Sequence, residues 1–258
     1  MPDQFLLGGL FGLLVAVISY AARFLTRSGA LTTFMLAVVV YGFGAWAWTV
    51  PIVTFFVTSS LLSKSGRTRK LQINERFEKS GARDWAQVLA NGGVPGILAL
   101  LSVSLPIQEL YPFYLASVAA AAADTWGTEI GVHARGRVVS IVTLKTVPSG
   151  TSGGISLTGT LGGALGAVAV ALSGYAWYAE IRIGLAVVVA GIVGSLADSL
   201  LGATVQARFH CPVCGSETER TEHCGRAADL SGGVSWIRND LVNAACTFVG
   251  ALAAWVLM

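Results

Sequence analysis

Charge is what this sequence has least of. Only 12% of its 258 residues are Asp, Glu, Lys or Arg, while 54% are hydrophobic. A soluble globular domain is about one quarter charged, so a soluble class is excluded and an integral membrane protein is implied. The expected fold is all-α, one polytopic helical bundle over residues 1–258. The net charge of +3 is small, and no nucleic-acid partner is expected. A basic n-region, a small-residue cleavage site and an Arg/Ser-rich transit peptide are also missing. The expected address is therefore a prokaryotic cell (inner) membrane, with no cleaved leader.

What is present is a series of apolar runs: Gln4–Ala22, Leu31–Trp46, Trp48–Ser63, Trp85–Val103, Leu110–Ile130, Ile155–Leu172, Ile183–Val205 and Leu241–Leu257. Taken as one helix, Leu31–Ser63 would be about 50 Å long against a hydrocarbon core of about 30 Å. Two short crossings broken near Pro51 fit better, with a re-entrant pair as the fallback. With eight crossings, Arg23, Arg27, the basic loop 64–84, Arg135, Arg137, Lys145, Arg208, Arg220, Arg226 and Arg238 share one side. Arg182 alone falls on the other. This bias predicts cytoplasmic loops 64–84, 131–154 and 206–240 and both termini outside. The aromatic run Tyr41, Phe43, Trp46 and Trp48 fits an interfacial belt at the outer face. The loop 64–84 reads either as a topogenic segment on anionic lipid or as an electrostatic collar for a phosphorylated ligand.

Acids inside apolar spans are costly and usually functional. Asp124 and Glu129 end the fifth run, Asp198 lies in the seventh, and Asp240 opens the eighth. Asp124, Asp198 and Asp240 all fall toward the cytoplasmic ends of their spans. With no in-membrane cationic partner, they imply a bound divalent cation or a proton pathway. Asp124 and Glu129 are about 140° apart on a regular helix, so a shared site requires that helix to end or unwind near Gly127. Asn91, in ANGGVPG, opens a segment that should face protein or a wet cavity. Gly191, Ser195, Asp198 and Gly202 form one stripe; Asp240, Asn243 and Thr247 form another, with Asn239 beside it.

Between the fifth and sixth runs, Lys145 precedes a Gly/Ser/Thr-rich turn, Ser149–Gly154, that opens the next helix. Such a turn presents backbone N–H groups and a positive dipole end to phosphate. It lacks the GKS/T ending of a Walker A loop. The glycines that follow, Gly159, Gly163 and Gly166, read as small-residue helix packing. Cys211 and Cys214 have CxxC spacing, with His223 and Cys224 downstream. They are a candidate structural zinc site, though adjacent ligands are awkward; reduced thiols or a disulfide are the alternatives.

These segments resemble a family of membrane proteins that includes the phytyl-phosphate kinases of tocopherol biosynthesis. The likeness is carried by ANG at Ala90–Gly92, DTWGTEIG at Asp124–Gly131, KTVPSGTSGGISLTGT at Lys145–Thr160, GSLADSLLGATVQ at Gly194–Gln206, HCG at His223–Gly225 and NDLVN at Asn239–Asn243. A more distant likeness is to CTP-using polyprenol kinases and CDP-lipid synthases. The resemblance implies CTP or another NTP as donor, magnesium, and an isoprenyl monophosphate lipid as acceptor. It implies Asp124, Glu129, Asp198 and Asp240 as magnesium or catalytic residues. Lys145, Thr151, Ser152, Gly153 and Gly154 become phosphate contacts, with Asn91, Asn239 and Asn243 as further nucleotide or phosphate contacts. Gly127 loosens the acid motif relative to a helix-forming residue.

The expected function is thus a membrane isoprenyl-phosphate kinase whose active site faces the cytoplasm. A CDP-lipid-forming cytidylyltransferase would use the same acids. An ion- or proton-coupled transporter would also use intramembrane acids and glycine-broken helices.

Overall fold

The computed structural model describes residues 2–65, 81–105, 107–133 and 136–258. Most of the basic loop 64–84, and Arg135, lie outside them. The described residues form seven helices: α1 Pro2–Ala21, α2 Arg27–Ser65, α3 Trp85–Leu101, α4 Ile107–His133, α5 Leu157–Tyr178, α6 Ile181–Thr204 and α7 Asn239–Leu257. Five of these (α1, α2, α5, α6 and α7) are long and apolar enough to cross a membrane, and α3 is a shorter apolar helix. The chain is therefore a mostly helical integral membrane protein, with seven helices where eight separate runs were expected.

The missing division lies inside α2, and it falls at Ala45 rather than at Pro51. Ala45 has φ 48° and ψ −145°, far from helical values. A straight helix of 39 residues would be about 58 Å long. Instead both ends of α2 reach Arg83: Thr26 N–H donates to the Arg83 carbonyl at 3.0 Å, and Arg83 Nη1 donates to Ser60 Oγ at 3.2 Å. Pro51 stays inside the second half of α2. Because proline has no N–H, the Ala47 carbonyl four residues back loses its helical donor. The Tyr111 hydroxyl supplies one at 2.8 Å.

The same tie corrects the reading of the aromatic run. Trp48 is fully buried against the rings of Tyr111 and Tyr114, and Tyr41 is buried against Phe11 and Trp46. Only Trp46 of the four sequence positions presents a largely exposed ring. The run is an internal clasp between α1, α2 and α4, and not an interfacial belt.

Around α4 the bundle is packed by small residues. Leu110–Ala123 is buried almost throughout, with five successive alanines at 119–123. Alanine and glycine let backbones approach closely, which is how helices associate where lipid removes the hydrophobic drive. A Cβ on Gly163 would lie 2.8 Å from the Ala123 carbonyl oxygen, and one on Gly166 would lie 2.7 Å from that of Ala122. Gly127 belongs to this contact, facing the Gly159 carbonyl. The helix therefore runs unbroken past Gly127 to His133; the glycine permits close approach and causes no unwinding.

The fold is not purely helical. β1 Val139–Ser140 pairs with β2 Gly154–Ile155 between α4 and α5. Between α6 and α7, β3 Arg208–His210 is flanked by β4 Glu217–Thr218 and β7 Asp229–Gly232, and β5 Glu222–His223 pairs with β6 Arg226–Ala227. Polar segments outside the apolar helices have no lipid to exclude and can pair as strands.

Candidate functional site

A cavity of about 800 Å³ opens at one end of the bundle. Its wall comes from the C-terminal ends of α2, α4 and α6, the N-terminal ends of α3, α5 and α7, and the loops around Arg23, Arg83, Gly153 and Arg220. Lining runs from Ala123 to Val132 on α4, around more than half of that helix. Asp124 and Glu129 thus share the cavity while 140° apart, because the helix end projects into it.

The two acids have different surroundings. Asp124 lines the cavity together with Asp198 of α6, whose Oδ2 is buried without a hydrogen-bond partner among the described residues. Asp124 and Glu219 are the charged groups that act on Asp198 electrostatically. Two carboxylates that line one cavity and feel each other's charge, one with an unsatisfied oxygen, form a donor set suited to a hard divalent cation. Magnesium in particular uses one or two carboxylates plus substrate phosphates, so this pair fits it. Glu129 is buried and engaged elsewhere: Ser63 Oγ donates to it at 2.8 Å. Its charge also acts on Arg83, whose guanidinium is pushed down to about 10 by burial, with Glu129 opposing the shift. Asp240 is not part of the lining, whereas Asn239 and Asn243 are. Positions 239 and 243 share a helix face, and 240 is rotated about 100° from it.

The turn Ser149–Gly154 lines the cavity opposite α4. Gly150 and Gly153 take φ of 80° and 75°, a region that disfavours residues with a Cβ. Gly153 also seats the turn on α6, since a Cβ there would lie 2.7 Å from the Ser199 carbonyl oxygen. Ser152 Oγ donates to Gln206 Oε1 at 3.4 Å. Ser156 caps α5 by accepting from Gly159 N–H at 3.1 Å. Asn91 reaches the lining from α3 while its Nδ2 donates to the Gln87 carbonyl at 3.0 Å. Lys145 is exposed beside β1 and is not in the lining.

Cations in the wall come instead from Arg23, Lys64, Arg83 and Arg220. In the sequence, Arg23 and Arg220 read only as topogenic charge, while Lys64 and Arg83 belong to the loop 64–84 that reads either as topogenic or as an electrostatic collar. Arg83 is the most embedded, with its guanidinium 5.9 Å from the Phe55 ring centre and 5.8 Å from that of Phe56. The capping box of Asp84 and Gln87 fixes the start of α3 just after it. That box is legible in the sequence and could have placed Arg83 at a helix mouth. No local signal marks Arg220.

Outside the cavity, Cys211, Cys214, His223 and Cys224 bring their ligand atoms within 4.8 Å of one another. This is the one group of three or more such residues found together among the described residues. His223 Nδ1 is 3.4 Å from Cys214 Sγ and 3.3 Å from Cys224 Sγ. Hydrogen bonds from Ser216 hold the Cys214 thiol down to about 6, and contact with Cys214 pushes Cys224 up to about 11.

A family model described as "Integral membrane protein DUF92" matches residues 10–251. A membrane protein of Methanocaldococcus jannaschii is 29% identical over 220 residues, covering 85% of this chain and 87% of the relative. "Protein PGR" of Arabidopsis thaliana is 28% identical over 226 residues, 78% of each chain. "Protein VTE6, chloroplastic" of the same plant is 25% identical over 238 residues, 89% of this chain and 64% of the relative. No solved structure matches.

Proposed function

The chain belongs to the integral membrane protein family DUF92, and from that premise we propose that it is an isoprenyl-phosphate kinase. It would convert phytyl or a related prenyl monophosphate to the diphosphate, with CTP or another NTP as donor. One observation carries this reading: a single cavity is lined by the Asp124–Asp198 pair, the turn Ser149–Gly154 and four cationic side chains. The motif resemblance to phytyl-phosphate kinases supplies the substrate class. On this reading the two halves of α2 count as separate crossings, which makes eight. The cavity end is then cytoplasmic and both termini are outside, in a prokaryotic cell membrane.

Phosphoryl transfer needs positioning and charge neutralisation more than a covalent nucleophile. An oxygen of the acceptor phosphate attacks the terminal phosphorus of the nucleotide. That P–O bond forms as the bond to the next phosphate breaks, and the nucleoside diphosphate leaves with the electron pair. The acceptor is already ionised, so no strong general base is required. Asp124 and Asp198 would hold magnesium, which when bound neutralises charge on the donor phosphates. The turn Ser149–Gly154 would seat phosphate on backbone N–H groups, with Asn91, Asn239 and Asn243 as polar contacts. Arg83, Lys64 and Arg220 would balance the developing charge. Glu129 would position Arg83.

The test is incubation of the purified protein with phytyl or geranylgeranyl monophosphate, magnesium and each NTP, followed by product analysis. A lipid diphosphate with the nucleoside diphosphate is expected. Pyrophosphate with a CDP-lipid would replace this reading by cytidylyl transfer. No product with any pairing, together with nucleotide-independent uptake into proteoliposomes, would replace it by transport.

A further inference from the structure

The segment between α6 and α7 has almost no core of its own. Its strands are two to four residues long. Phe209 is its one large buried apolar side chain, while Val213, Leu230, Val234 and Trp236 are exposed. Units this small are rarely stable without a disulfide, a metal or a partner. Yet two turns converge in it with defined geometry. In the first, Cys211 N–H donates to the Ser216 carbonyl at 3.0 Å and Gly215 N–H to the Cys211 carbonyl at 2.9 Å, with Gly215 at φ 70°. The second is the two-residue hairpin loop between β5 and β6. Cys224 and Gly225 there have φ of 52° and 72°, the signature of a type I′ turn. The left-handed backbone at Cys224 lets neighbouring His223 and Cys224 present both ligand atoms to one point, which an extended pair would send to opposite sides.

We propose that Cys211, Cys214, His223 and Cys224 bind one zinc ion, and that this ion fixes Glu219 and Arg220 in the cavity wall. A tetrahedral ion with Zn–S of about 2.3 Å and Zn–N of about 2.0 Å has S···N edges of about 3.5 Å. The observed S···N separations of 3.4 and 3.3 Å match that edge. Three thiol sulfurs and one imidazole form a closed structural set, with no position left for substrate. Glu219 and Arg220 lie on the link between β4 and β5, five residues after one ligand turn and three before the other. Both line the cavity. Holding the two turns together therefore holds the link that carries them, and loss of the ion would release a cation and an anion from the site without touching the helices.

The zinc assignment does not depend on what reaction the cavity performs. Its test is metal analysis of the protein purified in detergent without added metal. About one zinc per chain is expected, falling below about a tenth in Cys214→Ser and His223→Ala. Cobalt substitution should give the intense visible bands of a tetrahedral thiolate site. To separate zinc loss from misfolding of a variant, wild-type protein is also treated with a chelator and digested briefly with a protease. Cleavage should move to the 205–238 segment while the helical fragments persist. Less than about a tenth of an equivalent of zinc in protein from zinc-supplemented cells would overturn the proposal. So would stoichiometric iron, a disulfide among the three cysteines, or full zinc retention in Cys214→Ser. Unchanged cleavage after zinc removal would overturn the positioning role.

Discussion

Where α4 meets α5, backbones touch through glycine and alanine, and a Cβ on Gly163 would lie 2.8 Å from a carbonyl oxygen. Between α6 and α7, order comes from strands of two to four residues, and two turns bring four sulfur or nitrogen side chains together. Both regions line the same cavity. The first gains its stability from close contact spread along several helical turns, from Gly159 to Gly174 on α5, and a single lost contact is shared among neighbours. The second, with zinc bound as proposed, would concentrate much of its stability in one cluster. The helical wall can therefore hold acids at fixed positions against their mutual repulsion, whereas the β segment can place charges only as firmly as its cluster is intact.

The largest effect is expected where the helical wall carries the acids. Asp124→Asn and Asp198→Asn keep shape and remove one charge each. Each should reduce phosphoryl transfer by about 10²–10³-fold, in line with loss of a group that organises transition-state charge. Thermal unfolding in detergent should be little changed, or shifted upward as repulsion is relieved. Steady-state kinetics against magnesium and nucleotide provide the measurement. Near-normal turnover in both variants would remove the acid pair from the mechanism.

Next comes the packing that holds those acids. Gly166→Leu places a branched side chain where a Cβ alone would be 2.7 Å from the Ala122 carbonyl oxygen and 2.9 Å from the Trp126 ring. Overpacking of this kind costs about 1–3 kcal/mol. A lower unfolding temperature with unchanged zinc content would separate the two regions as argued. Loss of zinc in the same variant would mean they are one cooperative unit, and the contrast between them would fail.

The sequence made the two regions legible to different depths. Helix positions followed from apolar runs, and Asp124, Asp198 and the Ser149–Gly154 turn were each visible as a cost or a break in an apolar run. The Cys211–Cys214 spacing was visible, but the type I′ turn that lets His223 and Cys224 serve together is a backbone property; only Gly225 hinted at it. The break at Ala45 was hidden for a related reason. Nothing in the residue type of Ala45 marks its φ of 48°, whereas the Ala47 carbonyl orphaned by Pro51, the obvious breaker, is satisfied by Tyr111 from another helix. Arg220 was read as topology, and Arg83 as either topology or a collar, because one-dimensional charge counting cannot tell a cation that turns into a cavity from one that faces lipid head groups.

The smallest effect is expected at Lys145, and it decides how far motif resemblance can assign a role. The resemblance makes Lys145 a phosphate contact, yet its side chain is exposed and stands outside the cavity lining. Its backbone is committed locally, since Ser140 N–H donates to the Lys145 carbonyl at 2.9 Å. A solvated cation acts only over about a Debye length, roughly 8–10 Å in ordinary salt. Lys145→Ala should then change nucleotide KM by less than about twofold, with any difference vanishing as salt is raised. Arg83→Gln is the reference, because that guanidinium lies beside the rings of Phe55 and Phe56 and interacts with the charge of Glu129. It should lose about tenfold or more in kcat/KM, with little salt dependence, as expected of a partly buried charge that salt screens little. If Lys145→Ala instead matches Arg83→Gln, the loop after β1 must fold over the cavity when nucleotide binds. The phosphate site would then be completed by movement of the β1–β2 hairpin, and the rigid helical wall would supply only half of it.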